Sequence, residues 1–238
     1  MCIMSIAGNL ENICRRIEAA ALKAGRDPAS VRLVAVSKTQ DASAVDEAAR
    51  GGQRLFGENY VQEFVSKAAQ VSEPVSWHFI GALQSNKARQ IAGMVELVHS
   101  VDRLTLAREI DRQWGRLGKT CDVLVQVNIA CEATKCGAAS DDVLELVRDV
   151  AALPHLRVKG LMTMPPFFDD PDGARPYFRE LRRLSELVAG ERIPNVEMTE
   201  LSMGMSGDFE VAIAEGATLV RIGSAIFGER ELKRSPSP

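Results

Sequence analysis

The chain has 238 residues, 46% hydrophobic and 26% charged, with a formal net charge of -3 and a sequence pI ≈ 5.7. That balance suits one compact domain, or at most two small ones, with a sizeable core. Lys and Arg are interspersed with Asp and Glu, which argues against a nucleic-acid footprint, and no run reaches the roughly 20 apolar residues of a membrane span. Met1 to Leu10 lacks a cationic leader, so the expected location is the cytoplasm.

An amphipathic helix is predicted from Ser5 to Ala24, with Ile6, Leu10, Ile13, Ile17 and Leu22 near helical period and Gly25 as its stop. The apolar run Val31 to Ser37 reads as the first strand. Strand and helix then alternate. Helices are predicted at 41–50, 59–70, 84–92, 102–117, 141–153, 171–189 and 206–215, with a helical turn at 225–227. The strands between them fall at 54–57, 77–81, 95–100, 122–128, 158–163, 196–202 and 218–223. Pro165-Pro166 and the stretch 169–173 read as an exposed loop.

Eight βα units within this length predict the α/β class and a single (β/α)8 TIM barrel with an extra N-terminal helix; a doubly wound open sheet is the alternative. The barrel domain is expected over residues 1–232, with 233–238 a disordered polar tail.

Five cysteines, Cys2, Cys14, Cys121, Cys131 and Cys136, are odd in number and form no CxxC pair, so reduced thiols are the expectation. Cys131 and Cys136 bracket a short polar loop, which leaves a disulfide or part of a metal site as the alternative. His78, His99 and His155 have no zinc-ligand spacing.

In a barrel the carboxyl ends of the strands carry the chemistry, and polar residues collect there. Lys38 follows strand one. An amine held beside apolar walls loses hydration and can attack a carbonyl to form a Schiff base, although a lysine just past a strand is more often an ordinary solvated one. Glu58 and Asn59 follow strand two, and Gly81, Gln84, Ser85 and Asn86 follow strand three. Ser202 to Gly207 follow strand seven, and Gly223 and Ser224 follow strand eight. Asn59 and Ser206 also stand where helix N-caps are expected. Loops seven and eight are where this fold commonly seats phosphate. Arg221 lies within the last apolar strand, where it must meet a carboxylate, a phosphate or another acceptor: either ligand contact or an ion pair inside the barrel, with Glu200 the candidate.

Several motifs resemble one family, the pyridoxal-phosphate homeostasis proteins. They are Val34 to Thr39 (VAVSKT), Phe56 to Glu63 (FGENYVQE), Trp77 to Gly81 with Leu83 to Lys87, Leu201 to Ser206 (LSMGMS), and Val220 to Gly223 leading into Phe227-Gly228. The resemblance runs from about residue 5 to residue 230. It implies a barrel like the first domain of alanine racemase that binds pyridoxal 5'-phosphate (PLP). Lys38 would form the aldimine, Ser202, Met203, Gly223 and Ser224 would fall on the phosphate, Asn59 would lie beside the ring, and Arg221 would face the pyridine nitrogen. The sequence departs from the family pattern at Ala82, where proline is expected, at Cys136, where serine is usual, and at Gly207, often acidic.

The function so implied is intracellular PLP homeostasis, by buffering or delivery and without evident turnover. The partners implied are PLP and apo PLP-dependent enzymes, with neither nucleic acid nor membrane, and a monomer is expected with a dimer as the alternative. A PLP-dependent racemase is the rival reading. A racemase needs a second acid/base, and only Tyr60 and Tyr177 are tyrosines. A cofactor-free barrel aldolase using the same lysine is a third reading.

Overall fold

A computed structural model describes residues 5–130, 132 and 136–228. Eight parallel strands close in sequential order, and the last pairs back onto the first. They are β1 (Arg32–Val36), β2 (Leu55–Glu58), β3 (Ser76–Phe79), β4 (Leu97–Val101), β5 (Cys121–Val127), β6 (Leu156–Thr163), β7 (Val196–Ser202) and β8 (Leu219–Ile222). Around them run α1 (Ile6–Lys23), α2 (Ala42–Arg50), α3 (Val61–Ala68), α4 (Ala88–Ile91), α5 (Leu104–Gly115), α6 (Val143–Ala151), α7 (Arg175–Gly190), α8 (Phe209–Ala214) and α9 (Ser224–Phe227). The barrel predicted from the alternation is the observed fold, and the open-sheet alternative is overturned by the β1–β8 pairing. The polar tail falls outside the described residues.

Several elements are shorter than their sequence pattern. The stretch 84–92 divides into a 3-10 turn at Ser85–Lys87 and the single turn of α4, and α8 holds only six residues. Helices α6 and α7 are each preceded by a 3-10 turn, at Ser140–Asp142 and Pro171–Ala174. Apolar periodicity reports which face is buried and not which hydrogen bonds are made, so it reads through such turns.

Helix α1 is extra to the eight-fold repeat. Ser5 caps its N-terminus through Oγ, which accepts from the Gly8 N–H at 3.2 Å, and Gly25 leaves it at φ +69°. Its buried stripe of Leu10, Ile13, Ile17 and Ala21 packs against α8 and α9. Just beyond it, Arg26 donates to the carbonyls of Ile213 and Ala217, both at 2.8 Å, which ties the turn to the end of α8.

Strand alternation sorts side chains into two cores. Val34, Leu97, Leu124, Met162 and Leu219 fill the barrel interior with Leu55 against them. Leu33, Ala35, Phe56, Trp77, Phe79, Val220 and Ile222 point outward and meet the helices. Under α3 this outer core is aromatic: Trp77 lies 5.5 Å from Phe64, edge-on, and 5.7 Å from Phe56.

Phe64 is 1% exposed and is the main apolar anchor of α3. Phe64→Ala is expected to lower the unfolding free energy by about 3–5 kcal/mol, read from urea denaturation of the two proteins; a loss below about 1 kcal/mol would mean α3 is held otherwise.

Candidate functional site

Because β1 buries Val34 and Val36 inside the barrel, the next inward position in the alternation is Lys38. It is half-buried and lines a cavity of about 390 Å³ at the carboxyl ends of the strands. Val36 and Ile80 give that cavity an apolar floor, and Asn59, Arg221, Gly223 and Ser224 face it from β2 and β8. Of the seven residues singled out in the sequence, these four and Lys38 share one cavity. Ser202 and Met203 do not line it. The Ser202 side chain is fully buried, and Met203 turns into the outer core while its N–H bonds the Leu219 carbonyl at 3.2 Å. Loop seven reaches the cavity one turn later, through Met205, Ser206, Gly207 and Asp208. The Ser224 hydroxyl donates to that of Ser206 at 3.3 Å, which joins the two loops.

The cap readings of Asn59 and Ser206 are corrected. Helix α3 begins at Val61 with Tyr60 at its N-cap, and α8 begins at Phe209 with Asp208 there, so both polar side chains are left to the cavity. The Asn59 Oδ1 is buried without a hydrogen-bond partner. Gly81 fixes the backbone at that point, since a Cβ on it would lie 2.1 Å from the Asn59 carbonyl oxygen.

The expected Glu200–Arg221 pair is also corrected. Ser202 pairs in register with Leu219, which puts Glu200 two layers nearer the amino end of the barrel than Arg221. There Glu200 pairs with Arg32 at 2.5 Å and accepts from the Thr218 hydroxyl at 2.6 Å. Arg221 instead donates to the Ser202 Oγ at 2.5 Å and to the Thr163 carbonyl at 2.9 Å. Burial pulls its guanidinium down to about 10, with the Asp208 charge opposing. It remains a cation at neutral pH with one edge toward the cavity. Burial raises the Asp208 carboxyl, while its hydrogen bond from the Met205 N–H and the Arg221 charge act the other way.

Behind Arg221 stands a polar chain that sequence spacing did not single out as a site. Ser202 Oγ lies 2.9 Å from His99 Nδ1, and His99 Nε2 lies 2.8 Å from His78 Nδ1. Arginine is only a donor, so the assignment that satisfies every group runs one way: Arg221 to Ser202, Ser202 to His99, His99 to His78. Both imidazoles are then neutral. Burial depresses His78 to about 3, helped by Arg32, and holds His99 well below its usual value, helped by His78, Arg221 and Arg32. The available signal was that both histidines occupy inward positions of apolar strands.

Among the described residues no group of three or more His, Cys, Asp or Glu could hold a metal ion. Cys136 is an exposed free cysteine, and Cys131, its candidate disulfide partner, lies outside the described residues. No helix among the described residues is long and apolar enough to cross a membrane.

A closed parallel barrel with a lysine at the end of β1 and a buried arginine in β8, both facing one cavity, defines a barrel of the alanine-racemase type. The family model described as alanine racemase, N-terminal domain, matches residues 8–231. The chain is 43% identical over 229 residues to the pyridoxal phosphate homeostasis protein of Aquifex aeolicus, covering 96% of this chain and 100% of that one. It is 47% identical to the protein of the same name from Pseudomonas aeruginosa, covering 95% and 96%. Among solved structures it is similar to PipY of Synechococcus elongatus with PLP bound, at 37% identity and a TM-score of 0.79, covering 91% of this chain and 100% of that one. An alanine racemase of Clostridium difficile, 13% identical with a TM-score of 0.70, shares the fold over 94% of this chain and 58% of that one. The chain belongs to the pyridoxal phosphate homeostasis protein family, as its motifs suggested.

An unfolded chain takes up protons on its histidines below about pH 6.5, whereas the folded one keeps His78 and His99 neutral. Stability should therefore fall as pH drops from about 6.5 toward 3, by up to about 1.4 kcal/mol per pH unit for each imidazole. Urea unfolding at pH 7, 6 and 5 should show a shallower pH slope for the His78→Gln, His99→Gln double variant than for wild type. Equal slopes would mean the pair is charged in the fold.

Proposed function

We propose that the chain binds PLP in this cavity, covalently through Lys38, and that it holds and releases the cofactor without turning over an amino acid. The observation that carries the reading is the convergence of Lys38 and Arg221 on one mostly apolar cavity of about 390 Å³, roomy enough for a single phosphorylated ring. The residues suit that ligand. Two cations favour a phosphate-bearing anion, hydroxyls at Ser206 and Ser224 offer donors to its oxygens, and Asn59 brings an orphaned amide to its edge. Bound PLP would supply an aldehyde and an electron-withdrawing ring. The Lys38 amine condenses with the aldehyde, a C=N bond forms and water leaves.

Arg221 is the residue toward the ring nitrogen in this reading. A permanent cation there opposes protonation of that nitrogen and weakens the ring as an electron sink. Ser202 acts through Arg221, whose position it fixes, and Met203 backs the wall from the outer core. Neither tyrosine lines the cavity: Tyr60 is 56% exposed, and the Tyr177 ring packs 5.8 Å from that of Phe168, a residue of the cavity wall. Among the described residues that line the cavity, Asp208 is then the carboxyl group a racemase reading would use as its second acid/base. Release to apo PLP-dependent enzymes follows from a linkage that water can reverse.

Purified protein given PLP should show a visible band that is absent from Lys38→Ala. Borohydride reduction followed by peptide mapping should place the pyridoxyl mass on Lys38 alone. Amino acids incubated in D2O with the loaded protein should keep their α-hydrogen; exchange lost in Asp208→Asn would establish the racemase reading instead. Absence of any Lys38-dependent band would overturn PLP attachment there.

A further inference from the structure

Lys38 sits between two residues that are held from outside the barrel. The alternation that turns Val36 and Lys38 inward turns Ser37 outward, beneath α3, and its side chain is fully buried. There the Ser37 Oγ donates to Glu58 Oε1 at 2.7 Å. Lys67, on the buried face of α3, donates to Glu58 Oε1 at 2.5 Å, to the Ser37 carbonyl at 2.6 Å and to Glu63 Oε1 at 2.8 Å. Those three bonds use all three ammonium protons. The same Glu63 oxygen accepts from the Thr39 N–H at 2.5 Å.

Thr39 has φ +66°, a left-handed backbone that a β-branched residue adopts only when its surroundings impose it. The outer cluster thus grips the chain immediately before and immediately after Lys38. Lys67 is 4% exposed and Glu58 fully buried, so a surface ion pair does not describe them. Glu58 Oε2 has no hydrogen-bond partner, and burial raises the carboxyl despite Lys67, which makes the cluster costly for stability alone.

We propose that Glu58, Glu63 and Lys67 are positioning residues that lock the Ser37-Lys38-Thr39 turn and so deliver the Lys38 amine into the cavity. The proposal rests on the reading of Lys38 as the cofactor lysine. Glu63, at the rim of the cluster, is the member whose loss spares the buried Glu58–Lys67 pair. Its side chain sets the turn through one bond to the Thr39 N–H, and glycine at position 39 adopts the same φ without help.

The test compares wild type, Glu63→Ala, Thr39→Gly and the Glu63→Ala, Thr39→Gly double variant. In protein without PLP, hydrogen exchange at residue 39 should be slow in wild type and fast in Glu63→Ala. The dissociation constant for PLP, read from the Lys38-dependent band, should rise about tenfold or more in Glu63→Ala and return to within about threefold of wild type in the double variant. A cluster that serves stability alone would leave affinity unchanged, or would lower it without rescue by glycine, and either result overturns the proposal. A wild type without a Lys38-dependent band would defeat the cofactor reading and not this one. The lock would then be judged by exchange at residue 39 and by the labelling rate of Lys38 with an amine-acylating reagent, which Glu63→Ala should change and Thr39→Gly restore.

Discussion

A guanidinium cannot be taken out of water without partners, and the architecture of this site is organised around that constraint at Arg221. The strand that carries it must be central, because only closure of β8 onto β1 surrounds the side chain. The carboxylate carried by β7, Glu200, is committed to Arg32. Neutral acceptors from β6 and β7 take its place in the hydrogen bonds, and the carboxylate whose charge acts on Arg221 is Asp208, on the loop-seven wall of the cavity. A carboxylate bonded directly to Arg221 in place of Ser202 would have offset its charge further and weakened the cavity's attraction for an anion.

The neutral histidines follow from the same requirement. Ser202 can receive the arginine proton and still use its own proton only if a further acceptor stands behind it, and His99 is that acceptor. His99 in turn needs somewhere to place its second nitrogen, which His78 provides. A positive imidazole in that row would repel Arg221 at close range in a medium that screens poorly. The chain therefore transmits position rather than charge.

How much of this was legible in the sequence differs from residue to residue. The eight βα units and their order were legible, because inward and outward alternation in a buried parallel strand needs β-branched apolar runs such as Val31 to Val36. Lys38 and Arg221 were visible as charges interrupting or ending such runs. The partners of Arg221 were not, since register decides them: Ser202 is level with Leu219, which leaves Glu200 four residues below Arg221 and Ser202 two residues below, within reach of the guanidinium. The Asn59 and Ser206 caps misled for a related reason, as helices in α/β units start one or more residues later than the first cap-forming side chain. Lys67 left a trace that was not read. It recurs with Val61 and Phe64 on the apolar stripe of α3, where a cation signals a buried partner, and the FGENYVQE motif already supplied two carboxylates.

The two charged clusters divide the work of the site in a way that follows from strand geometry alone. Residues on the inner face can touch a ligand, and residues on the outer face cannot, so the inner cation Arg221 is available to a bound anion while the outer cation Lys67 is consumed by Glu58, Glu63 and the Ser37 carbonyl. Lys38 belongs to the inner face yet has its neighbours on the outer one. On the proposed reading its side chain would make and break a bond with the cofactor while the backbone that carries it stays fixed. A reversible covalent attachment needs that combination. A lysine on a loose loop would pay ordering entropy each time the cofactor returned, and a lysine packed along its whole length could not let the cofactor leave.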